Sequence, residues 1–555
     1  MLVPLLIVNP LKRLQLNFWT PMTLAIAALI ALPIFSVLGS VFTDSGEIWR
    51  HLVDTVLGRY VFNSLWLMLG VGVGVTVVGV ATAWLVTMCR FRGQGFWEVL
   101  LLLPLAAPAY LLAYIYTDIL DYFGWVQRFL RLIFGWQSAQ DYWFPEVRSL
   151  GGAIIMLILV LYPYVYLLAR VAFLEQSVTT LEASRALGCG PWKSFWAIAL
   201  PLARPAITAG LALALMETLN DFGTVQYFGV ETFTTGIYRT WFGLGAPQAA
   251  AQLAAVLMLF IAGLLVLEKW SRHQAQYYQT SNNYDKPQAY ELQGWRAGIA
   301  TLTCGIPVFF GFVVPVGTLL EMAFNRPQAR FRTQFWEFAQ HSFVLASVTA
   351  ILAVAIALIL AYGQRLNHSL WMALGVRIAS LGYAIPGSVI AVGILIPMGK
   401  LDNAIANFFQ AQFNISTGLL LSGTITALVF AYLVRFLAVS FGAVETSLGK
   451  IKPTLDDASR SLGYTPIRTL VSVHTPLMWS GLLTAAMLVF VDVMKELPAT
   501  LVIRPFNFDT LAVKVYQYAS DERLVEASVP ALAILAVGLI PVIFLSWRIA
   551  HVRNE

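Results

Sequence analysis

Long apolar runs separated by short polar segments dominate this chain. Each run is near or above the roughly 20 residues that an α-helix needs to cross the hydrocarbon of a bilayer. Runs of this length suit helices rather than the short alternating strands of a barrel, because a helix satisfies its backbone groups internally. The runs form two sets of six: 20–42, 61–88, 97–117, 150–174, 204–222 and 248–268, then 297–320, 342–363, 371–398, 418–440, 478–496 and 528–547. The pattern predicts an all-α integral membrane protein with twelve transmembrane helices.

The composition agrees with a membrane location. Of the 555 residues, 59% are hydrophobic and 12% are charged, which is too apolar for a soluble globular protein of this length. The three cysteines lie far apart in sequence, so we expect packing residues rather than a disulfide framework or a metal site. Lys12 and Arg13 directly precede the first run, and we expect that run to remain as an uncleaved anchor.

One polar segment occurs twice, as Glu182-Ala-Ser-Arg-Ala-Leu-Gly188 and as Asp457-Ala-Ser-Arg-Ser-Leu-Gly463. The shift of 275 residues also relates positions on both sides of the motif: Thr179, Pro191, Lys193, Pro201 and Phe233 pair with Thr454, Pro466, Arg468, Pro476 and Phe508. Further upstream, a shift of 278 pairs Pro108 with Pro386. A register of this length indicates a tandem duplication.

The duplication predicts two parallel six-helix repeats, because an even number of spans gives both halves the same orientation. We expect the first half at 1–268, a polar and turn-rich cytoplasmic linker at 269–294, and the second half at 295–555. Lys and Arg are more frequent in the loops beside both termini and both motif copies, so the positive-inside rule places these in the cytoplasm. The net charge of +6 needs only this rule and anionic membrane lipid, and nucleic acid is not an expected partner.

Each motif copy has the form of a capping box followed by a glycine. In a capping box, a hydroxyl and a carboxylate satisfy the free amides that open a helix, and a glycine can then end the helix in a left-handed conformation. The residues are Thr179, Glu182 and Gly188 in the first copy and Thr454, Asp457 and Gly463 in the second. We expect helices at about 179–188 and 454–463, too short to be stable without something to pack against.

Small and apolar side chains share one face of each short helix, at helical spacing: Ala183 and Leu187 in the first copy, Ala458 and Leu462 in the second. A face of this kind is suited to close packing against a partner. The carboxylates of Glu182 and Asp457 have three open and compatible roles, namely capping their own helix, pairing with the arginine three residues on, or meeting a basic residue of a partner. The alternative is that each motif is only a capped surface elbow between two spans.

The predicted span that follows each motif copy contains two acidic residues: Glu217 and Asp221, and, 275 positions on, Asp492 and Glu496. Each ionised group costs at least about 2.5 kcal/mol at the bilayer centre, so these side chains must face protein or water. The spacing of four places each pair on one helix face. Facing each other, the pairs would line a translocation path with hard oxygen ligands and hold a hard cation transiently. A structural role is the alternative, in which they bind Lys495, cap helix ends or stabilise the following loops.

The segment from Glu182 to Leu200-Pro201 resembles the Glu-Ala-Ala…Gly…Leu-Pro loop of binding-protein-dependent ABC importer permeases. In that family the loop is the coupling helix that docks on the ATP-hydrolysing subunit. The second copy departs from the pattern at Asp457 and Thr475, so the two halves need not grip their ATPases equally. The resemblance implies a type I ABC importer (MetI-like) permease fold in a bacterial inner membrane, with two copies of an ABC ATPase subunit and a periplasmic substrate-binding protein.

The chain contains no Gly-x-x-x-x-Gly-Lys-Ser/Thr phosphate-binding motif. We therefore expect a transport subunit rather than an enzyme, with no permanently bound cofactor and with ATP and magnesium held by the partner subunits.

The strings 217–228, 492–501, 504–510 and 520–523 resemble the iron(III) branch of these permeases, and that resemblance implies ferric ion as the substrate. Fused thiamine permeases share the two-half layout, and polyamine, sulfate and phosphonate systems share the loop, so these substrates are alternatives. A second class is a secondary transporter, in which an ion gradient drives transport and the four carboxylates carry protons. A third is a scaffold or channel without active transport.

Overall fold

The computed structural model describes residues 18–174, 188, 190–273, 290–326 and 333–552. Within these ranges, ten helices are long and apolar enough to cross a membrane, and two pairs of helices joined by a sharp bend can each form one more span. The structure confirms the all-α membrane fold, and twelve spans result when each bent pair counts once.

The helices of the first half begin and end as follows: Trp19–Ser40, Gly46–Leu52, Gly58–Met88, Gln94–Leu100, Ala109–Leu120, Trp125–Phe134, Leu150–Leu174, Pro191–Ser194, Leu200–Asn220, Gly223–Tyr227, Phe233–Tyr238 and Pro247–His273. Single π-helical turns occur at Val53–Leu57, Phe195–Ala199 and Arg239–Gly243, and a 3₁₀ turn at Leu103–Ala106.

The second half has a matching series: Trp295–Val308, Val314–Asn325, Thr333–Leu366, Leu370–Ala379, Gly387–Phe413, Ile425–Gly449, Thr454–Ser461, Pro466–Thr469, Thr475–Leu477, Trp479–Met494, Pro498–Ile503, Leu511–Ser520 and Leu524–Val552. Its π-helical turns are Phe309–Val313 and Leu470–His474, and its 3₁₀ turn is Leu381–Ala384. A two-residue parallel bridge joins Cys89–Arg90 to Tyr290–Glu291.

The helix bounds repeat with the register of the sequence. Leu150–Leu174 and Ile425–Gly449 are both 25 residues long and differ by 275. The π-helical turns Phe195–Ala199 and Leu470–His474 differ by the same number. The duplication is therefore present in the backbone as well as in the sequence.

The predicted spans at 97–117 and 371–398 are not single helices, and this part of the prediction is wrong. In each, a short helix leads into a 3₁₀ turn, and a new helix starts after Pro108 or Pro386. The residues before these prolines, Ala107 and Ile385, are extended, because the proline ring disfavours a helical residue before it. In the first half the axis bends by 90° here.

The first helix of each half packs against the other half. Trp19–Ser40 lies against Leu370–Ala379 and Gly387–Phe413, and the backbone at Pro33 approaches Gly393 so closely that a Cβ would lie 2.5 Å from the Pro33 oxygen. In the reverse direction, the Tyr116 hydroxyl donates to the Phe310 carbonyl at 2.5 Å. The two halves are thus interlocked rather than merely side by side. Residues 274–289 of the predicted linker lie outside the described residues.

Candidate functional site

The second copy of the motif forms a short helix at Thr454–Ser461. Gly463 follows in the left-handed region at φ +80°, as predicted, and the amide of Tyr464 donates back to the Ser459 carbonyl at 3.1 Å. This is the hydrogen bond that closes a glycine-ended helix. The glycine therefore ends the helix and turns the chain toward the next span.

The predicted capping box is wrong for this copy. Pro453 is the N-cap, and no side chain caps the helix, because the helix begins at Thr454 itself and its hydroxyl is no longer outside the first turn. Asp457 instead pairs with Arg460 at 3.7 Å, one of the three predicted roles, and exposes 74% of its side chain. Ala458 and Leu462 are also exposed. The predicted partner-binding face is thus not covered by the described part of the chain.

The first copy of the motif lies largely outside the described residues, which exclude 175–187. Glu182, Ala183 and Leu187 fall in that range, and their roles stay predictions. Gly188 is described and has a φ of +76°. This matches Gly463 and agrees with the predicted left-handed glycine.

A buried ion-pair network, here called the Asp456 clasp, holds the second short helix. The Asp456 carboxylate accepts hydrogen bonds from Arg365 at 2.6 and 2.9 Å, and it lies 2.8 Å from Nε2 of His474. Arg365 also donates to the carbonyls of Leu448 and Ile451 at 2.8 and 2.9 Å. The clasp thus ties the short helix to the ends of Thr333–Leu366 and Ile425–Gly449 and to the π-helical turn that leads into the next span.

Burial alone would raise the pKa of Asp456, and the hydrogen bonds from Arg365 and His474 outweigh it and hold that pKa below its ordinary value. Sequence reasoning did not identify Asp456 as a site residue, because the motif pattern points to its exposed neighbour, Asp457. A signal was present, since Asp456 is an acidic residue where the first copy has Leu181. The other two clasp positions correspond to Thr87 and Ala199, so these three residue types cannot form the same ion pairs in the first half.

All four predicted intramembrane carboxylates line a single cavity of about 120 Å³ between the two halves. The lining also contains two cations, Arg435 and Lys495, and the polar side chains of Asn220, Tyr110, Tyr164 and Tyr383. Four carboxylates thus face two cations, which leaves two formal negative charges uncompensated. The structure brings together the residues that the sequence placed in two separate spans.

Asp221 and Glu496 serve as caps for the short helices that follow them. Asp221 accepts from the Thr224 hydroxyl at 2.9 Å and from the Val225 amide at 3.0 Å. Glu496 accepts from the amides of Ala499 and Thr500 at 2.9 and 3.1 Å. These bonds satisfy amides at the start of a helix that have no partner within it.

The predicted shared helix face is wrong for both pairs, because the preceding helices end at Asn220 and Met494. The structural alternative, a cap at a helix end, describes Asp221 and Glu496.

Glu217 and Asp492 are the two carboxylates that remain turned toward the cavity. Their side chains are 25% and 22% exposed. Asp492 pairs with Lys495 at 2.9 Å, whereas the nearest guanidinium nitrogen of Arg435 lies 3.9 Å from Glu217. The pairing of Lys495 with an acidic residue was one of the structural alternatives.

Arg435 is a site residue that sequence reasoning missed. It donates to the side-chain oxygen of Asn220 at 3.0 Å and to the Glu496 carboxylate at 3.3 Å, and it joins the two halves at the cavity. The available signal was a charged residue in the middle of the apolar run 418–440, where a charge needs a partner.

Among the residues that the structure describes, no group of three or more His, Cys, Asp or Glu could hold a metal ion by itself. Transient metal binding by Glu217, Asp221, Asp492 and Glu496 therefore stays a prediction. One feature of the lining favours a ligand. Tyr110 is one of the lining residues, and its buried hydroxyl has no hydrogen-bond partner among the described residues, although buried polar groups normally have one.

A larger cavity of about 1,220 Å³ extends from this site toward the Thr454–Ser461 helix. Residues of both halves line it, including Met216 from the first and Gly442 from the second, with Lys450 and Lys452 near the short helix. Tyr383 lines both cavities. The charged cavity thus lies at the inner end of a wide vestibule.

Comparisons with known proteins identify relatives. Residues 75–274 match the family described as the binding-protein-dependent transport system inner membrane component. An Fe(3+)-transport system permease protein of Haemophilus influenzae is 26% identical over 87% of this chain and 88% of its own length. A ferric transport system permease protein of Actinobacillus pleuropneumoniae is 22% identical over 94% and 77%, respectively. A molybdenum transport system permease protein of Escherichia coli is 27% identical over 35% of this chain and 83% of its own length.

Proposed function

We propose that this chain is a binding-protein-dependent ABC transport permease and the membrane subunit of an ATP-driven importer for ferric iron. The family assignment agrees with the resemblance carried by the duplicated motif. The observation that carries the substrate is the charged cavity between the two halves, where four carboxylates face two cations.

The charge of this cavity distinguishes between the substrates of the relatives. The relatives that match most of the chain are ferric transport permeases, whereas the molybdenum permeases match only about a third of it. Molybdate is an anion and would meet two uncompensated negative charges in a buried site, where like charges repel strongly. A hard cation meets oxygen ligands of the type that it prefers. The lining therefore favours iron over an oxyanion.

The partners follow from the family. Two ABC ATPase subunits would bind beneath the two short helices, and the exposed Ala458 and Leu462 supply the apolar part of that contact in the second half. A periplasmic binding protein would dock on the opposite side, at the loops 222–248 and 497–526. Phe506, whose exposed fraction is 95%, is the side chain of these loops best suited to enter a pocket on that protein. The termini and both short helices would lie in the cytoplasm.

The test is transport by the purified permease and its ATPase in proteoliposomes, with binding protein supplied outside. We expect ATP-dependent uptake of radioactive iron from the ferric-loaded binding protein, and we expect it to persist when ionophores collapse the proton and sodium gradients. Uptake that needs the gradient and not ATP would establish a secondary transporter. Uptake of molybdate, thiamine or a polyamine with no uptake of iron would reject the substrate and keep the ABC permease.

A further inference from the structure

We propose that the Lys495 ammonium group acts as a resident cation in the charged cavity, paired with Asp492 until an incoming metal cation displaces it. The inference rests on the proposed function, because it assumes that the cavity lies on the path of a cation. It adds a residue that sets specificity, since the arriving ion must compete with a positive charge that the protein itself supplies.

The first step concerns which carboxylates are available. Asp221 and Glu496 are committed to the amides of the helices that follow them, and releasing either would leave those buried amides without an acceptor. Buried polar groups left without a partner destabilise the fold. In the contacts described above, Glu217 and Asp492 do not accept hydrogen bonds from backbone amides. They are the carboxylates that can exchange one cation for another.

The second step concerns the two resident cations, which are held differently. Arg435 exposes only 7% of its side chain and donates to both Asn220 and Glu496, so it is a fixed part of the wall. Lys495 exposes 29%, follows the last residue of the helix Trp479–Met494, and forms its ion pair with Asp492. A lysine is a compact charge on a flexible stem, whereas an arginine is a rigid fork. Lys495 is the cation that can leave.

The third step comes from the repeat. The position 275 residues before Lys495 is Asn220, whose side-chain oxygen accepts from Arg435 and from the Gly387 amide at 2.8 Å. The first half thus contributes an amide at the place where the second half contributes a charge. Glu217 has a guanidinium nitrogen no closer than 3.9 Å, beyond hydrogen-bond distance. At rest Asp492 is therefore held by a close pair with Lys495 at 2.9 Å, whereas Glu217 has only the longer ion pair with Arg435 and is the more readily available to a cation.

A fourth observation indicates space for a ligand. Tyr110 is 5% exposed and belongs to the lining, and its buried hydroxyl has no partner in the part of the chain that the structure describes. If the ring turns this hydroxyl toward the cavity, its oxygen can complete the surroundings of a hard cation or of its bound water. The site thus offers Glu217, the Asp492 carboxylate once Lys495 has moved, and a phenol oxygen.

The arrangement has a consequence for selectivity. A tethered ammonium competes with free ions at a local concentration on the order of millimolar or higher, so a monovalent ion gains little by replacing it. A trivalent ion gains much more from the same carboxylates, because the interaction scales with charge. The resident cation therefore keeps sodium and potassium out of the path and yields to a multivalent ion. It returns to Asp492 after the metal has passed.

The experiment measures gallium(III), a redox-inert trivalent ion, by equilibrium dialysis in citrate buffer against the purified permease–ATPase complex. Lys495→Met keeps the length of the side chain and removes its charge. We expect about tenfold tighter gallium binding in this variant, together with a measurable rubidium leak through proteoliposomes. The control is Lys514→Met, which removes a lysine paired with Asp509 at 2.8 Å outside the cavity and should leave gallium binding and rubidium flux at wild-type values.

Gallium binding within twofold of wild type in Lys495→Met, including no detectable binding in either protein, would overturn the inference. Co-purification of the ATPase with each variant at wild-type yield checks that the complex is assembled. Ferric uptake by the wild-type complex is scored separately. If it succeeds while Lys495→Met matches wild type, only the resident-cation inference fails. If wild type imports a different substrate, the proposed function fails.

Discussion

The two halves of this permease share their helix bounds and differ in the polar contacts beside the duplicated motif. In the second half, Asp456, Arg365 and His474 fasten the short helix to the bundle. In the first half, the described residues near the motif include a buried ion pair between Arg170 and Glu98 at 3.2 Å, and the positions that match the three clasp residues are Leu181, Thr87 and Ala199. Duplication has preserved the scaffold, which depends on apolar packing, and has allowed the charged contacts to diverge. If the short helices bind a partner as proposed, we expect the second half to transmit force through the clasp and the first half to use other side chains.

The largest expected effect is the loss of the clasp. Asp456→Ala leaves the part-buried Arg365 guanidinium without its carboxylate, and breaking a buried pair in this way costs up to about 3 kcal/mol. We expect the short helix to detach and iron uptake per ATP hydrolysed to fall by roughly a hundredfold, measured in proteoliposomes with the ATPase bound.

Glu321→Ala is the control, because it removes a carboxylate from an exposed pair with Arg326, at 3.8 Å and outside both motif copies, that is worth less than about 1 kcal/mol. It should change transport by less than threefold. Equal effects of the two substitutions would mean that the clasp does not transmit force. The corresponding change in the first half, Leu181→Ala, removes no charge and is expected to leave the coupling ratio intact.

The second prediction concerns the positions at which the halves are chemically equivalent. Glu217→Gln with Asp492→Asn keeps the size of both side chains and removes two charges from the cavity. We expect iron uptake to fall at least about tenfold, since a trivalent ion loses both exchangeable carboxylates, while ATPase co-purification is unchanged. Radioactive uptake and a pull-down measure the two quantities on the same preparation.

Asp141→Asn, a change to an acidic residue outside the cavity that accepts amide bonds within its own loop, serves as the charge control. If the double variant takes up iron at the wild-type rate, Glu217 and Asp492 are not part of the translocation path.

Much of this architecture was predictable because it is local. The twelve apolar runs, the register of 275 residues and the left-handed Gly463 each follow from short stretches of sequence. The helix breaks at Pro108 and Pro386 were signalled by the prolines, but each lies within a continuous apolar run, and hydropathy reports exposure to lipid and not the direction of the backbone.

The partners of the charged residues were not predictable in the same way. Glu496 has the spacing of a helical neighbour of Asp492, and only the tertiary structure shows that the helix ends between them and that Glu496 accepts the amides beyond. Arg435 meets Asn220 from 215 residues away, and Arg365 meets Asp456 from 91 away. A sequence shows that such charges need partners without showing which ones they find.

The third prediction tests what the halves have in common. Gly188 and Gly463 both have positive φ with open space around the missing Cβ, so a side chain there costs backbone strain, about 1–2 kcal/mol each, without a clash. We expect Gly188→Val with Gly463→Val to release the ATPase subunits in a pull-down, and each single substitution to weaken retention by less.

The Asp456 clasp predicts a difference between the two single glycine substitutions. Gly463→Val should be the milder of the two single changes, because Asp456 still anchors its helix. The control is Gly135→Val, which introduces the same strain at φ +71° in a loop far from both motifs. Unchanged co-purification of the double variant would reject the coupling role of these turns.

The smallest expected effect lies in the loops at the opposite side of the protein, where each half has one carboxylate paired with two cations: Glu231 in the first half and Asp509, with Arg504 and Lys514, in the second. Glu231 accepts from Arg239 at 2.8 Å and from Arg59 at 2.9 Å, and the hydrogen bond from Arg239 is the main reason why the pKa of Glu231 is lowered from 4.5. A lowered pKa means that the cluster stabilises the fold fully above pH 4.5 and loses this contribution as pH falls through the lower, folded-state value.

Both arginines are more than half exposed, so we expect Glu231→Gln to lower the free energy of unfolding by less than about 1 kcal/mol at pH 7. Thermal unfolding in detergent should show this difference at low salt and lose it in 1 M salt, where the Debye length is about 3 Å. Phe506→Gln, at the equivalent position, should change thermal stability by an amount that does not depend on salt or acid. If the stability difference between Glu231→Gln and wild type persists in 1 M salt, the cluster stabilises the fold by packing and not by ion pairing.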